Sequence, residues 1–409
     1  MDAPAVDAAR VIADLRELQT RTGDESGAQR LCWGEQWRGA RAFLGELLAE
    51  IGLEPERDAA GNLWAFLEGE RGPALALGSH IDSVPDGGWL DGAYGVMAGL
   101  GVLRAWSQTR QPPPRSLALV DFADEEGARF GRSLFGSSAF AGTLDPTELE
   151  PLADSEGRSI AEVLAENGVE LARVGEAAAG RRRIGEYLEL HIEQGPVLAN
   201  AGLQAAAVTG CAGVERLRFV FGGQAAHAGT TPMDMRHDAG LAAARAALEI
   251  EQIPSEHGGV ATTGELELRP GISTAVAGEA TLSVDLRHPD QARLEQMLAA
   301  ARHRAQVAAS SRGCSLEERF VWRIEPIAFD AELVELAAGA VAATTSTETR
   351  IASGALHDAA ELARVLPAAM VFCPSLGGIS HAPEEDTEEG DLAAAIEVFG
   401  ALAANVVSM

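Results

Sequence analysis

The stretch Ala74–Gly95, ALALGSHIDSVPDGGWLDGAYG, constrains the chain more than any other. Its opening apolar run, Ala74–Leu77, reads as a buried strand. The run empties into small residues and then presents His80 and Asp82. Asp91 follows eleven residues after His80, just ahead of the apolar helical pattern Gly95–Trp106. A strand that leads through a loop into a helix belongs in an open α/β sheet, and such sheets carry their sites at the carboxyl ends of strands. An imidazole and two carboxylates at that mouth are the ligand types of a divalent ion such as zinc.

A chain of 409 residues is long enough for two domains and a large core. Its formal net charge of −29, from 32 basic and 61 acidic residues, argues against nucleic acid or an anionic membrane as partner. The cysteines (Cys32, Cys211, Cys314 and Cys373) lack metal-finger or CxxC spacing and read as reduced packing residues of a cytoplasmic protein. The first residues carry no basic segment followed by an apolar core, so no signal peptide is expected. Nor does any apolar run approach the ~20 residues of a membrane span.

Apolar spacing predicts helices over Ala5–Thr20 and Trp37–Leu53, a helical stretch over roughly Asp145–Arg183, and helices over Ala331–Thr344 and Asp391–Asn405. Two short strands flank a Gly61-Asn62 turn. Leu117–Phe122 is a second buried strand, and it ends in Ala123-Asp124-Glu125-Glu126-Gly127. Tyr187–Gln194 alternates, so His191 points with Tyr187, Glu189 and Glu193, opposite Leu188, Leu190 and Ile192. Met370–Cys373 runs as a strand into the loop that carries His381. Between these segments lie strand Glu215–Phe221, helix Asp238–Gln252, strands Val260–Arg269 and Ala280–Arg287, helix Asp290–Ser310 and strand Ser315–Ile324. That β-α-β-β-α-β order is the split βαβ, ferredoxin-like arrangement. It predicts an α+β domain at 212–325 inserted into an α/β domain made of 1–211 and 326–409.

Five residues of the outer domain carry the chemistry: His80, Asp91, Glu126, His191 and His381. A histidine at a strand end is more often structural than a ligand, and adjacent glutamates are usually solvated loop charge. The signal is the coincidence. Of nine histidines, three stand at strand exits with carboxylates at compatible places. Two histidines and a carboxylate satisfy one zinc-like ion; a third histidine and a second carboxylate, sharing a bridging aspartate, satisfy another. Two ions about 3.5–4 Å apart activate a hydrolytic water and polarise the carbonyl it attacks. Glu125, beside Glu126, is placed to serve as general base and then general acid. Asp82 could orient the His80 imidazole from behind.

The segments GSHIDS, WLDGAYG, DEEGARF, ELHIEQGPVL, HAGTTPMDMRHDA and GGISHAPEE, in this order and spacing, resemble the dinuclear metal amidohydrolases of the N-carbamoyl-L-amino-acid hydrolase, allantoate amidohydrolase and β-ureidopropionase group. This group lies within the aminoacylase–carboxypeptidase superfamily. The resemblance implies a zinc-exopeptidase-like mixed sheet flanked by helices, with the inserted domain as a lid and dimerisation domain. It implies two divalent ions per subunit: zinc, with manganese, cobalt or nickel as alternatives. His80, Asp91 and His191 would hold one ion; Asp91, Glu126 and His381 would hold the other, with Glu125 as the acid/base. Gln194, Thr274, Arg287 and His357 would contact a small substrate bearing a carboxylate, for which the arginine fork of Arg287 is suited. His227 would reach the neighbouring active site of a homodimer and support the developing oxyanion.

Two positions depart from the group. Thr274 stands where asparagine is usual, and Leu356 replaces a glycine in Ser353-Gly354-Ala355-Leu356-His357-Asp358-Ala359. Both belong to the substrate pocket. The expected activity is hydrolysis of an N-carbamoyl-L-amino acid, with allantoate-type ureide hydrolysis and N-acyl-amino-acid deacylation as alternatives. A monomeric peptidase and a non-catalytic scaffold are the rivals from other classes.

Overall fold

The computed structural model describes residues 3–409. The chain forms two compact units, one of residues up to Thr209 and from Phe329 onward, the other Gly210–Ala328.

The first unit is built on a mixed sheet. Its strands run in the order Ala206–Cys211, Ala368–Cys373, Ile184–Ile192, Ala74–His80, Leu117–Phe122, Leu63–Leu67 and Glu56–Arg57. The four from Ala368–Cys373 to Leu117–Phe122 are parallel, and the strands outside them pair antiparallel. Parallel strands covered on both faces carry near-continuous apolar sequence. LALVDF and Ala74–His80 are accordingly buried throughout.

Helices flank this sheet in two groups. Ala93–Ser107, apolar nearly all round and buried, packs on the central strands beside Ala8–Thr22 and Glu389–Ser408. Phe135–Ala141 and Asp358–Leu362 form the other group. A buried ion pair fixes the Leu117–Phe122 strand. Arg41 Nε donates to Asp121 Oδ2 at 2.6 Å, the guanidinium stacks 4.0 Å from the Trp37 ring, and Asp121 Oδ1 accepts the Ile81 N–H at 2.9 Å.

Two expectations are corrected. Residues 145–183 are not one helical stretch but short helices Pro146–Leu149 and Ile160–Glu166 followed by a 3-10 segment, Leu171–Arg183. Asp145 and Ser159 each cap a fresh helix start, which breaks the alanine-rich pattern into pieces. The carboxyl-terminal helix, Glu389–Ser408, is long and apolar enough to cross a membrane by length and composition, with a mean hydropathy of 1.5. Its apolarity is that of a core helix: Leu392, Ile396, Phe399, Leu402 and Val406 are buried in the unit.

In the second unit, Gly213–Gly222, Glu279–His288 and Ser315–Ile324 form an antiparallel sheet. Both Val260–Thr262 and Leu266–Arg269 pair with Glu279–His288. The order is that of the split βαβ arrangement, with its second strand divided in two. Leu282, Val284 and Leu286 alternate inward onto helices Ala239–Ile250 and Gln291–Ser310. The boundaries fall a few residues outside the expected 212–325.

Candidate metal centre

The parallel topology brings four strand ends to one rim. His80 closes its own strand, and His191 is the penultimate residue of Ile184–Ile192. Glu125 and Glu126 follow Leu117–Phe122 after Ala123 and Asp124, and His381 lies on the loop after Ala368–Cys373. The alternation expected for Tyr187–Gln194 holds, but both faces are buried. Glu189 is enclosed, accepting the Ser79 hydroxyl at 2.6 Å and the Ala359 N–H at 2.8 Å.

Asp91 is the centre of the cluster. Its Oδ1 lies 3.6 Å from His80 Nε2 and 3.2 Å from His191 Nε2, and its Oδ2 lies 3.3 Å from His381 Nε2. Glu126 Oε2 is 3.4 Å from His381 Nε2 on that second side. Ligand-type atoms of His80, Asp91 and His191, and likewise of Asp91, Glu126 and His381, lie within 4.8 Å of one another. The two groups share one carboxylate. Gly92 follows with φ at +63°, and a Cβ there would overlap the His80 ring.

The hydrogen bonds around the rings test whether cations suit this cluster. His80 Nδ1 faces the Asp82 carbonyl at 3.1 Å, and His191 Nδ1 faces the Ile192 carbonyl at 2.9 Å. A carbonyl only accepts, so Nδ1 carries a proton and each Nε2 is left to face the Asp91 carboxylate, that of His191 also lying 3.2 Å from the Gly92 N–H. Two electron-rich atoms at that separation repel unless a cation lies between them, either a proton or a metal ion. Glu126 Oε1, buried and lacking a hydrogen-bond partner, adds a second unspent anionic donor. The donor set therefore fits two divalent ions bridged by Asp91.

Protonation follows the same geometry. Burial opposes charge on His191, but the hydrogen bond and charge of Asp91 override it and raise the ring to about 9. His381 rises to about 9, chiefly through Asp91. Burial, with the nearby His191, lowers His80 to about 4. Burial and then the Asp91 charge push Glu126 up to about 8. Glu125, 3.7 Å from His80 Nε2, is raised well above the carboxylate range by burial and by the charges of Asp358, Glu126, Asp82 and Asp91.

Supporting contacts surround the cluster. Asp82 faces His80 Nδ1 with its backbone carbonyl at 3.1 Å and its Oδ1 at 3.7 Å. Its carboxylate accepts the N–H groups of Glu125 and Glu126, both at 3.3 Å, and so ties the first strand exit to the second. Gln194 Nε2 donates to Asp91 Oδ2 at 2.7 Å and lies 3.4 Å from His381 Nε2. His357 is 2% exposed; its ring lies 4.4 Å from that of His191, and its Nε2 is 3.0 Å from Ser353 Oγ. Sequence reasoning missed Ser380 and Glu385, which bond to the Asp91 segment. Only their place beside His381 in GGISHAPEE could have signalled them.

In the second unit, His227 is exposed on a short strand opposite Ala275, and its Nδ1 accepts the Gly229 N–H at 3.1 Å. The Thr274 carbonyl accepts the Ala228 N–H at 2.9 Å, so these two predicted contacts sit side by side. Arg287 points off the apolar face of its strand, and its Nε donates to Asp285 Oδ1 at 2.9 Å.

This fold and cluster define a class. The profile of peptidase family M20/M25/M40 matches residues 76–405, and the chain belongs to that family. Within it the chain is a hydrolase of the amidohydrolase branch. It is 36% identical over 376 residues to an N-carbamoyl-L-amino acid amidohydrolase of Geobacillus stearothermophilus, covering 91% of this chain and 92% of the relative. It is 32% identical over 380 residues to the allantoate amidohydrolase of Bacillus subtilis, covering 90% of each. A hydantoinase/carbamoylase family amidase from Burkholderia ambifaria superposes with a TM-score of 0.91 at 35% identity, covering 100% of this chain and 99% of its own.

Proposed function

We propose that the chain hydrolyses the linear ureido C–N bond of an N-carbamoyl-L-amino acid, consuming one water to give the L-amino acid, CO2 and ammonia. The observation that carries this reading is the division of labour at Asp91. One of its oxygens faces His80 and His191, the other faces His381, and Glu125 stands beside the cluster as a carboxylate outside both groups. His80, Asp91 and His191 would hold one divalent ion, and Asp91, Glu126 and His381 the other. When bound, such ions supply Lewis acidity and neutralise charge as it develops on the substrate oxygen.

The chain's own residues do the rest. Glu125 takes a proton from the attacking water and returns it to the departing nitrogen. As a carboxylate outside both ligand groups, Glu125 is free to make that transfer in each direction. Gln194, which already reaches both Asp91 and His381, offers an amide to the ureido group. Arg287 would bind the substrate carboxylate, and His227 and Thr274 would contact the substrate from the second unit acting as a lid. His227 would serve the neighbouring subunit of a homodimer. We place the enzyme in the cytoplasm; its four cysteines are all buried, as packing residues would be.

Ureide hydrolysis of the allantoate type is the second reading, favoured by the 32% identical relative. Assaying ammonia and free amine across N-carbamoyl, N-acyl and ureide substrates tests both. Turnover of N-carbamoyl-L-amino acids over D-forms and allantoate supports the first reading; turnover of allantoate alone replaces it with the second. Cleavage of unblocked dipeptides, with no ureido turnover, overturns both.

A further inference from the structure

We infer that Glu385, acting with Ser380, is a positioning residue that sets the affinity of the Asp91, Glu126 and His381 group for its ion. The inference rests on the ligand set proposed above.

The ligand-type residues are not held alike. His80 and His191 are buried in central strands, 1% exposed each. His381 is 49% exposed at its side chain and has a φ of +55°. A residue with a Cβ rarely adopts that left-handed backbone unless its surroundings enforce it. Packing cannot supply that enforcement on an exposed loop, so hydrogen bonds must.

Glu385 holds the residue just before His381. It is 1% exposed, whereas Glu384, Asp386, Glu388 and Glu389 of the same acidic run are exposed. Its Oε1 accepts the backbone N–H groups of Leu90 and Asp91, each at 3.0 Å. Its Oε2 accepts the Ser380 hydroxyl at 2.9 Å, and that hydroxyl also lies 3.0 Å from Asp91 Oδ2. One carboxylate thus joins the backbone of the bridging aspartate to the residue preceding His381, across nearly three hundred positions of chain. Gly88 leaves the room: a Cβ at that position would overlap the Glu385 carboxylate.

Two consequences follow from this joint. It sets the distance between the Asp91 and His381 loops. It also biases which way Asp91 Oδ2 turns, because Ser380 Oγ is held against it. Neither effect reaches His80 or His191, whose rings are fixed by their own strands and by backbone carbonyls. Loss of Glu385 should therefore weaken the ion of the Asp91, Glu126 and His381 group far more than the other, which shares only Asp91 with it.

The test is titration of the metal-stripped full-length protein with cobalt(II). Calorimetry reads the two affinities, and visible absorption reports the coordination at each site. The wild type should take two ions. Glu385→Gln should weaken one of them by about 10–100-fold, the range for partners that orient a ligand, with the absorption of that ion altered and the other within a few-fold. Ser380→Ala should shift the same ion in the same direction, by less, and Glu384→Gln should shift neither. Ser380→Ala carries the test if Glu385→Gln does not fold. Unchanged affinities, or equal weakening of both ions with a matching fall in Tm, overturn the inference and leave Glu385 a structural residue. A wild-type protein that binds fewer than two ions overturns the ligand assignment itself.

Discussion

Metal loading and protonation compete for the same lone pairs, and the geometry sets the size of that competition. His191 and His381 lie 3.2 and 3.3 Å from opposite oxygens of Asp91 and titrate at about 9. Burial and Asp91 put Glu126 at about 8. At pH 7 the metal-free cluster therefore holds roughly three protons that ligation must displace. The sign follows from which state binds them. These protons belong to the metal-free form, so lowering the pH favours that form and weakens loading; raising it strengthens loading until the groups are deprotonated near pH 9. His80, lowered to about 4, contributes no proton in this range. Between pH 6 and 7 the combined affinity for two ions should rise by roughly 10²–10³. Titrating zinc in buffers of different ionisation enthalpy reads the proton count directly. A count below two at pH 7, or an affinity indifferent to pH between 6 and 9, would refute the placement of His191 and His381 opposite Asp91.

Three further outcomes follow. Glu125→Gln should lower kcat by about 10²–10⁴-fold while metal content and Tm stay near wild type; loss of metal instead would make Glu125 a ligand. Gly92→Ala should cost metal and activity together, because its backbone sits at φ +63° and its new Cβ meets the His80 ring; a protein with full metal content would contradict that contact. Arg41→Ala should destabilise by about 3–5 kcal/mol in denaturant unfolding, since it leaves Asp121 charged, buried and without its guanidinium, and a loss under 1 kcal/mol would show that the pair is dispensable.

The sequence by itself determined where each ligand-type residue would stand along a strand. Apolar runs such as Ala74–Leu77 and LALVDF end abruptly in His80 or Asp124-Glu125-Glu126, because a covered parallel strand must be apolar until it emerges. Alternation in Tyr187–Ile192 assigned His191 its face, and the β-α-β-β-α-β order of the second unit was readable from spacing alone. Local patterns carry such information because strand and helix periods are local.

Tertiary structure decided what the residues do to one another. That Asp91 divides its oxygens between two sides depends on three loops meeting, and no spacing records it. The Asp82 carboxylate reaches the backbone of Glu125 and Glu126 as well as His80, and Glu385 reaches Leu90 and Asp91 from the far end of the chain. In sequence Glu385 is one acid in the run EEDTEE, indistinguishable from its solvated neighbours. Burial separates it from them, just as a hydrogen bond to Asp91 separates His191 and His381 from His80 in their hold on protons. Electrostatics in this cluster is a property of which groups share an interior, and that is known only once the chain has closed around them.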